Sequence, residues 1–134
     1  MSFETTFTVE WGDCDEAGIV YYPNYFYWID CTFQRWMRAN GISHRDLRSR
    51  FRIDVPLMDV GCNFRKPVRY DDVLTIRSRI AEWKEKRFRV EYEMFVDGLA
   101  IGTGHELRGW VHFAEDGSLK SRPIDPEFKA KLGG

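Results

Sequence analysis

Residues 12–40 read GDCDEAGIVYYPNYFYWIDCTFQRWMRAN, an acidic loop that leads into a long apolar segment. Proline is best tolerated at the first position of a helix, so Pro23 predicts a helix start, and Gly41 predicts the helix end near Asn40. Apolar residues recur at helical spacing along this segment and predict one broad buried face. They are Tyr22, Tyr25, Phe26, Ile29, Phe33, Trp36 and Met37. The sequence therefore places three carboxylates, within residues 13–16, just before a buried helix.

The rest of the chain predicts mainly strands, because polar and apolar residues alternate in most of it and Val55 to Phe64 is largely apolar. The predicted strands cover Phe3 to Trp11, Val55 to Phe64, Val73 to Trp83, Phe88 to Val96 and Ile101 to Phe113. Asp97-Gly98 and Asp116-Gly117 predict turns. Ser43 predicts the cap of a short helix through Arg50, and Pro126 predicts a short terminal helix. One long apolar helix followed by antiparallel strands predicts an α+β domain in which the sheet wraps around the helix.

The composition predicts one domain, residues 1–134, and argues against several kinds of partner. The 20 basic and 21 acidic residues nearly cancel, so there is no reason to expect nucleic acid or an anionic membrane as a partner. Cys14, Cys31 and Cys62 lack the paired spacing of a zinc site or disulfide framework and suit a reducing compartment. Because no segment resembles a signal peptide or a membrane span, we expect a cytoplasmic protein.

The acidic loop allows three interpretations. Asp13 and Asp15 could form local turns or cap the helix, and spacing alone favours this interpretation. A calcium loop is disfavoured, because Ala17 and Asn24 stand where an EF-hand needs ligands. The third interpretation is catalytic, since a helix N-terminus offers unpaired N–H groups and a partial positive charge to a carbonyl oxygen. A nearby carboxylate could then attack that carbonyl or direct water at it.

Residues 12–25 resemble the hallmark of the 4-hydroxybenzoyl-CoA thioesterase branch of the hotdog-fold superfamily. Residues 70–76, YDDVLTI, and 82–84, EWK, resemble the same branch at compatible spacing. The resemblance implies a hotdog fold, an antiparallel sheet wrapped around one long central helix. It implies hydrolysis of an aromatic, hydroxybenzoyl-like or other compact acyl-CoA, with no metal and no cofactor beyond the coenzyme A of the substrate.

The resemblance also implies roles for individual residues. Asp15 matches the catalytic carboxylate, acting as nucleophile or general base, and the backbone N–H of Tyr22 matches the group that polarises the thioester carbonyl. Asp30 matches an acidic residue that contacts a ring hydroxyl. Three basic residues match the segment that holds the phosphates of coenzyme A, namely Lys84, Lys86 and Arg87. Members of the branch form dimers that pair into tetramers, with acyl pockets at subunit interfaces, so we expect a homo-oligomer.

Other interpretations stay open beside these. From periodicity alone, Asp30 is equally suited to a salt bridge with Arg35 or Arg38. The basic residues between 84 and 87 could instead protect a sheet edge by their charge. A hotdog protein that binds acyl-CoA without hydrolysing it, or for regulation, and a thioesterase for short aliphatic acyl-CoA are the alternative functions. A hotdog hydratase or dehydratase is a further one, but its usual aspartate–histidine pairing is not evident.

The remaining reactive side chains carry no catalytic signature. The three histidines, His44, His105 and His112, are predicted to be packing or surface residues, because neither a metalloprotease motif nor a serine-hydrolase elbow accompanies them. Cys14 lies inside the acidic loop but has no neighbouring histidine in the sequence to activate it. We therefore expect it to be a small core residue.

Overall fold

Helix α1 spans Pro23–Ala39 in the computed structural model, which describes residues 1–134. Gly41 follows its last turn in a left-handed conformation, with φ of 80°, as expected for a residue that ends a helix. The buried face of α1 consists of Tyr25, Trp28, Ile29, Thr32, Phe33, Trp36 and Met37. Tyr22, which we expected on this face, is exposed because it precedes the first turn.

Two shorter helical segments follow the predictions. Helix α2 (His44–Asp46) begins at Ser43, whose Oγ accepts the N–H of Asp46 at 3.1 Å, and it continues as a π-helical turn over Leu47–Phe51. Helix α3 (Pro126–Lys131) lies near the end of the chain and buries Phe128 completely. No helix of the protein combines the length and the apolar character needed to span a bilayer.

Five strands form one antiparallel sheet in the order β1-β3-β4-β5-β2. They are β1 (Ser2–Thr8), β2 (Leu57–Phe64), β3 (Val73–Trp83), β4 (Arg87–Val96) and β5 (Leu99–Gly109). Two short strands, β6 (Val111–Phe113) and β7 (Leu119–Ser121), pair separately. Helix α1 packs on one face of the five-stranded sheet, so the predicted α+β architecture is confirmed.

Several strand boundaries differ from the sequence predictions. Strand β1 ends at Thr8, because the chain leaves the sheet for a 3-10 turn over Trp11–Asp13. Strand β2 starts only after Pro56, which has no N–H for the ladder. The predicted strand from Ile101 to Phe113 is broken at Trp110. The N–H of Trp110 bonds outside β5, and its ring packs on another aromatic ring near the chain end.

A glycine allows α1 to lie close to the sheet. Gly104 of β5 faces Ile29, and a Cβ at this position would lie 2.5 Å from Cδ1 of Ile29. At that distance either Ile29 or the helix would have to move, so the absence of a side chain at Gly104 allows the observed close approach. Ile29 is completely buried as a result.

Candidate active site

The acidic loop is folded by its own backbone. The N–H of Asp15 donates to the carbonyl oxygen of Ile19 at 3.0 Å, and the N–H of Gly18 donates to that of Asp15 at 3.0 Å. Oδ1 of Asp15 accepts the N–H of Ala17 at 2.9 Å, an arrangement typical of an Asx turn. Oδ2 of Asp15 has no hydrogen-bond partner within the chain, and the residue is exposed. Half of the carboxylate therefore fixes the loop, and the other half is free for a ligand.

Asp13 ties the loop to the start of α1. Its Oδ2 accepts the N–H of Glu10 at 2.8 Å. Its carbonyl oxygen accepts the N–H of Tyr21 at 2.8 Å and the side-chain amide of Asn24 at 2.9 Å. These bonds hold the acidic loop against the N-terminus of the helix.

The N-terminus of α1 offers a free backbone donor at the predicted position. Pro23 has no N–H, and the N–H groups of Asn24 and Tyr25 donate to the carbonyl oxygens of Tyr21 and Tyr22. The N–H of Tyr22 donates to no acceptor in the chain. It lies at the positive end of the helix, where an oxygen that gains negative charge is stabilised.

A groove of about 550 Å³ runs beside the loop. Its lining residues are Trp11, Gly12, Cys14, Asp15, Glu16, Gly18, Tyr21 and Tyr70. The rings of Trp11 and Tyr70 meet edge to face with centroids 5.4 Å apart, so one wall of the groove is aromatic. Cys14 is half-buried, packs against the core and also lines the groove. No functional signal in the sequence singles out Trp11, which is 76% exposed.

Asp30 is paired with an arginine that the sequence did not indicate. Its Oδ1 accepts a hydrogen bond from Nη2 of Arg108, on β5, at 2.8 Å. The predicted alternatives, Arg35 and Arg38, are wrong as partners. Arg35 points to β1 instead, where it donates to Oγ1 of Thr5 at 2.8 Å, and Arg38 is exposed. Oδ2 of Asp30 has no partner in the chain, and the side chain is 45% exposed.

Arg108 belongs to a buried polar network beneath α1. It donates to both carboxylate oxygens of Glu106, at 3.2 and 2.9 Å, and to the carbonyl oxygen of Val55 at 2.9 Å. Tyr92 donates its phenol to Glu106 at 2.5 Å. Burial raises the pKa of Glu106, which Arg108 opposes, and burial also holds the pKa of Tyr92 well above its ordinary value. The guanidinium of Arg108 stacks on the ring of Phe33, 4.4 Å from its centroid.

A sequence signal for this network existed. Glu106 and Arg108 stand two residues apart in β5, in phase with the inward-facing Gly102 and Gly104. Charged side chains on the buried face of a strand need partners, and two of opposite sign can be partners for each other. The sequence could not identify Asp30 as a third member, because that contact joins residues 78 positions apart.

The predicted phosphate-binding residues lie away from the acidic loop. Lys84, Lys86 and Arg87 are exposed at the turn between β3 and β4, and they line a groove of about 770 Å³ with the apolar side chains of Leu57 and Met58. The acidic loop contacts the chain just before β3, where Ile19 pairs with Arg69. Strand β3 separates the two places, and the first and last of its 11 residues are roughly 33 Å apart at 3.3 Å per step between neighbouring residues.

The histidines pair with groups outside the acidic loop. His44 contacts Asp54 at 3.0 Å, His105 contacts Asp59 at 3.0 Å, and Nδ1 of His112 lies 2.9 Å from the carbonyl oxygen of Arg52. No three side chains of histidine, cysteine, aspartate or glutamate are grouped as a metal site would require. The side-chain contacts of all three histidines therefore lie outside the acidic loop.

Comparison with known proteins identifies the family. A model of the thioesterase-like superfamily matches residues 9–132. The 4-hydroxybenzoyl-CoA thioesterase of Pseudomonas sp. (strain CBS-3) is 37% identical over a match that covers 60% of this chain and 58% of that enzyme's length.

Two solved structures share the fold over 98% of this chain. One is a mutant 4-hydroxybenzoyl-CoA thioesterase in complex with 4-hydroxybenzoyl-CoA, with 26% identity, a TM-score of 0.91 and 99% of its chain covered. The other is a gentisyl-coenzyme A thioesterase, with 32% identity, a TM-score of 0.86 and its whole chain covered at 100%. The predicted hotdog fold is confirmed by these matches, and with the family model spanning nearly all residues, the chain belongs to the thioesterase-like, hotdog-fold superfamily.

Proposed function

We propose that this protein hydrolyses an aromatic acyl-CoA with one hydroxylated ring to the free acid and coenzyme A. The main supporting observation is that two groups of the segment leading into α1 are unpaired, Oδ2 of Asp15 in the acidic loop and the N–H of Tyr22 at the helix start. The relatives named above act on 4-hydroxybenzoyl-CoA and gentisyl-CoA, which supports an aryl substrate.

The chemistry follows from those two groups. The thioester carbonyl oxygen accepts a hydrogen bond from the N–H of Tyr22, which stabilises the negative charge that the oxygen gains during attack. Asp15 either attacks the carbonyl carbon to form an anhydride, which water then hydrolyses, or removes a proton from water as the water attacks. In both routes the carbon–sulfur bond breaks and coenzyme A leaves as a thiol after protonation.

The spacing along α1 suits an acyl group of one ring. Tyr22 and Asp30 are eight positions apart, about 12 Å along a helix axis. Side chains on a helix lean toward its N-terminus, which brings the carboxylate of Asp30 closer to Tyr22. A single aromatic ring with a hydrogen bond at each end fits that interval, with its hydroxyl donating to the free Oδ2 of Asp30.

We expect a homo-oligomer, with dimers that pair into tetramers as the family resemblance implies, and the position of the basic turn favours a site shared by two chains. In one chain, β3 separates the Lys84–Arg87 turn from the acidic loop by more than the pantetheine arm of coenzyme A can reach. Strand β2 is an edge of the sheet and exposes apolar side chains of the kind that oligomer interfaces cover. These side chains are Leu57, Met58, Val60 and Phe64. Pairing of two β2 edges would let one chain supply the acidic loop and its partner the basic turn.

The test is release of free thiol from a panel of CoA esters. The panel contains 4-hydroxybenzoyl, gentisyl, benzoyl, phenylacetyl and short aliphatic esters, and we expect the hydroxylated aryl esters to give the highest kcat/KM. The variant Asp15→Asn should lose at least about a hundredfold in kcat while it still binds acyl-CoA.

The matched control is Glu16→Gln, because Glu16 is an exposed carboxylate of the same loop and makes no hydrogen bond. Near-normal turnover by Asp15→Asn would contradict the proposal that Asp15 is the catalytic carboxylate. Tight binding of the esters by the unaltered protein without thiol release would replace the proposal with the non-catalytic alternative.

A further inference from the structure

Arg108 makes more contacts than its partnership with Glu106 requires. Three of its nitrogen atoms donate four hydrogen bonds, two of them to Glu106, one to Val55 and one to Asp30. The arginine is 5% exposed and Glu106 is 1% exposed, whereas Asp30 is 45% exposed. Glu106 alone compensates the buried charge of Arg108. The additional bond to Asp30 therefore connects the buried Arg108–Glu106 pair to a carboxylate at the surface of the fold.

The geometry fixes the direction in which Asp30 presents its free oxygen. Glu106, itself held by the phenol of Tyr92, and the carbonyl of Val55 lock the plane of the guanidinium. The ring of Phe33 covers one face of that plane. An arginine held in this way offers its outer Nη2 at one place only, and Oδ1 of Asp30 is bound there.

We propose that Arg108 is a positioning residue for substrate recognition, which holds Asp30 so that Oδ2 accepts a hydrogen bond from the hydroxyl of the acyl ring. The inference rests on the proposed function, since it concerns how that site selects a hydroxylated acyl group. Arg108 itself does not touch the substrate. It removes the freedom of the Asp30 side chain and supplies the positive charge that lets a carboxylate face an aromatic ring.

The measured quantity is a discrimination ratio, kcat/KM for 4-hydroxybenzoyl-CoA divided by kcat/KM for benzoyl-CoA. Removing Arg108 alone would leave the buried carboxylate of Glu106 without a compensating positive charge, so the main variant is the double substitution Glu106→Gln/Arg108→Met. We expect its discrimination ratio to fall by roughly tenfold, as for loss of a hydrogen bond to a charged group, while turnover of benzoyl-CoA changes little. Asp30→Ala should lower the ratio similarly, and adding it to the double variant should lower it no further.

The control is Arg35→Met. Arg35 also stacks on a core ring, 4.2 Å from the centroid of Phe7, but it makes no contact with Asp30. Its discrimination ratio should equal that of the unaltered protein, even if its melting temperature falls. A merely structural role for Arg108 would likewise lower the melting temperature and leave the ratio unchanged.

The outcomes separate this inference from the function on which it rests. Absence of thiol release from any aryl-CoA by the unaltered protein overturns the proposed function and, with it, this inference. If the unaltered protein prefers the hydroxylated ester and the folded double variant keeps that preference, the inference is overturned while the proposed function stands. If the double variant does not fold, Arg108→Lys decides by the same ratio, because a lysine keeps the charge but cannot reproduce the planar set of donors.

Discussion

At the scale of single residues, the two carboxylates that we propose contact the substrate are held in the same way. Asp15 uses Oδ1 to accept the N–H of Ala17, and Asp30 uses Oδ1 to accept Nη2 of Arg108. In both, Oδ2 has no partner in the chain. A carboxylate bound through one oxygen loses most of its rotational freedom before a ligand arrives, so the ligand does not have to supply that ordering. The other oxygen then faces the ligand in a fixed direction.

Tyr25 carries a prediction about stability at high pH. Burial beside Phe64 and Trp28 raises the pKa of its phenol from 10.0 to about 12. Between these values the unfolded chain has released the proton and the folded chain still holds it, so the free energy of unfolding falls as the pH rises from 10 to 12. Tyr25→Phe should make this decrease shallower, which urea unfolding midpoints measured below and above pH 10 would reveal.

The control for this measurement is Tyr21→Phe, which alters an exposed phenol of the neighbouring loop. It tests whether a shallower decrease belongs to the buried phenol of Tyr25 or to the loss of any tyrosine hydroxyl. An unchanged slope in Tyr25→Phe would mean that the phenol of Tyr25 does not contribute to alkaline destabilisation.

At the scale of elements, the sequence predicted those helix boundaries that depend only on neighbouring residues. The proline at the start of α1, the glycine after it and the cap at Ser43 are short-range signals, and the structure has all three. The break at Trp110 was not predictable, because its N–H and ring are bound by residues that no local pattern indicates.

In the candidate site, too, the sequence predicted the local features and not those that depend on packing. The motif located the acidic loop and the helix start, since both lie within about ten residues of each other. The partner of Asp30 depends on which residue of β5 lies beneath α1, and that follows only from the packing of the helix on the sheet. Likewise, the distance between the basic turn and the loop could not be predicted without knowing how the strands pair.

The packing of α1 on the sheet gives a prediction at this scale. Gly104→Ala would bring a Cβ to 2.5 Å from Cδ1 of Ile29, so the helix must shift or Ile29 must change conformation. We expect a loss of about 1–3 kcal/mol in the free energy of unfolding. Adding Ile29→Val removes Cδ1 and should recover part of that loss, although Ile29→Val alone should cost about 1 kcal/mol.

The control is Gly12→Ala, because no atom lies within 4 Å of the position that its Cβ would take. Its unfolding midpoint in urea should match that of the unaltered protein. If the effects of Gly104→Ala and Ile29→Val simply add, the two residues do not share the contact that sets the height of α1 above the sheet.

At the scale of the whole molecule, the separation along β3 leads us to expect that a complete site depends on two chains. One end of the strand adjoins the acidic loop and the other carries Lys84, Lys86 and Arg87. In a two-fold dimer through β2, each site takes the loop from one chain and the turn from its partner, and every dimer has two such sites. A loop substitution in one chain and a turn substitution in its partner therefore fall in the same site and leave the other site intact.

Subunit mixing tests this arrangement. One chain carries Asp15→Asn, the other carries Lys84→Ala, Lys86→Ala and Arg87→Ala together, and two different affinity tags isolate the mixed dimer after co-expression. One of its two sites then combines both defects, and the other combines an intact loop with an intact turn. We expect the mixed dimer to release thiol at about half the rate of the unaltered dimer, at a substrate concentration where the triple variant alone is nearly inactive. If each site lay within one chain, neither site would be intact, and the mixed dimer would be no more active than the mean of its two parents.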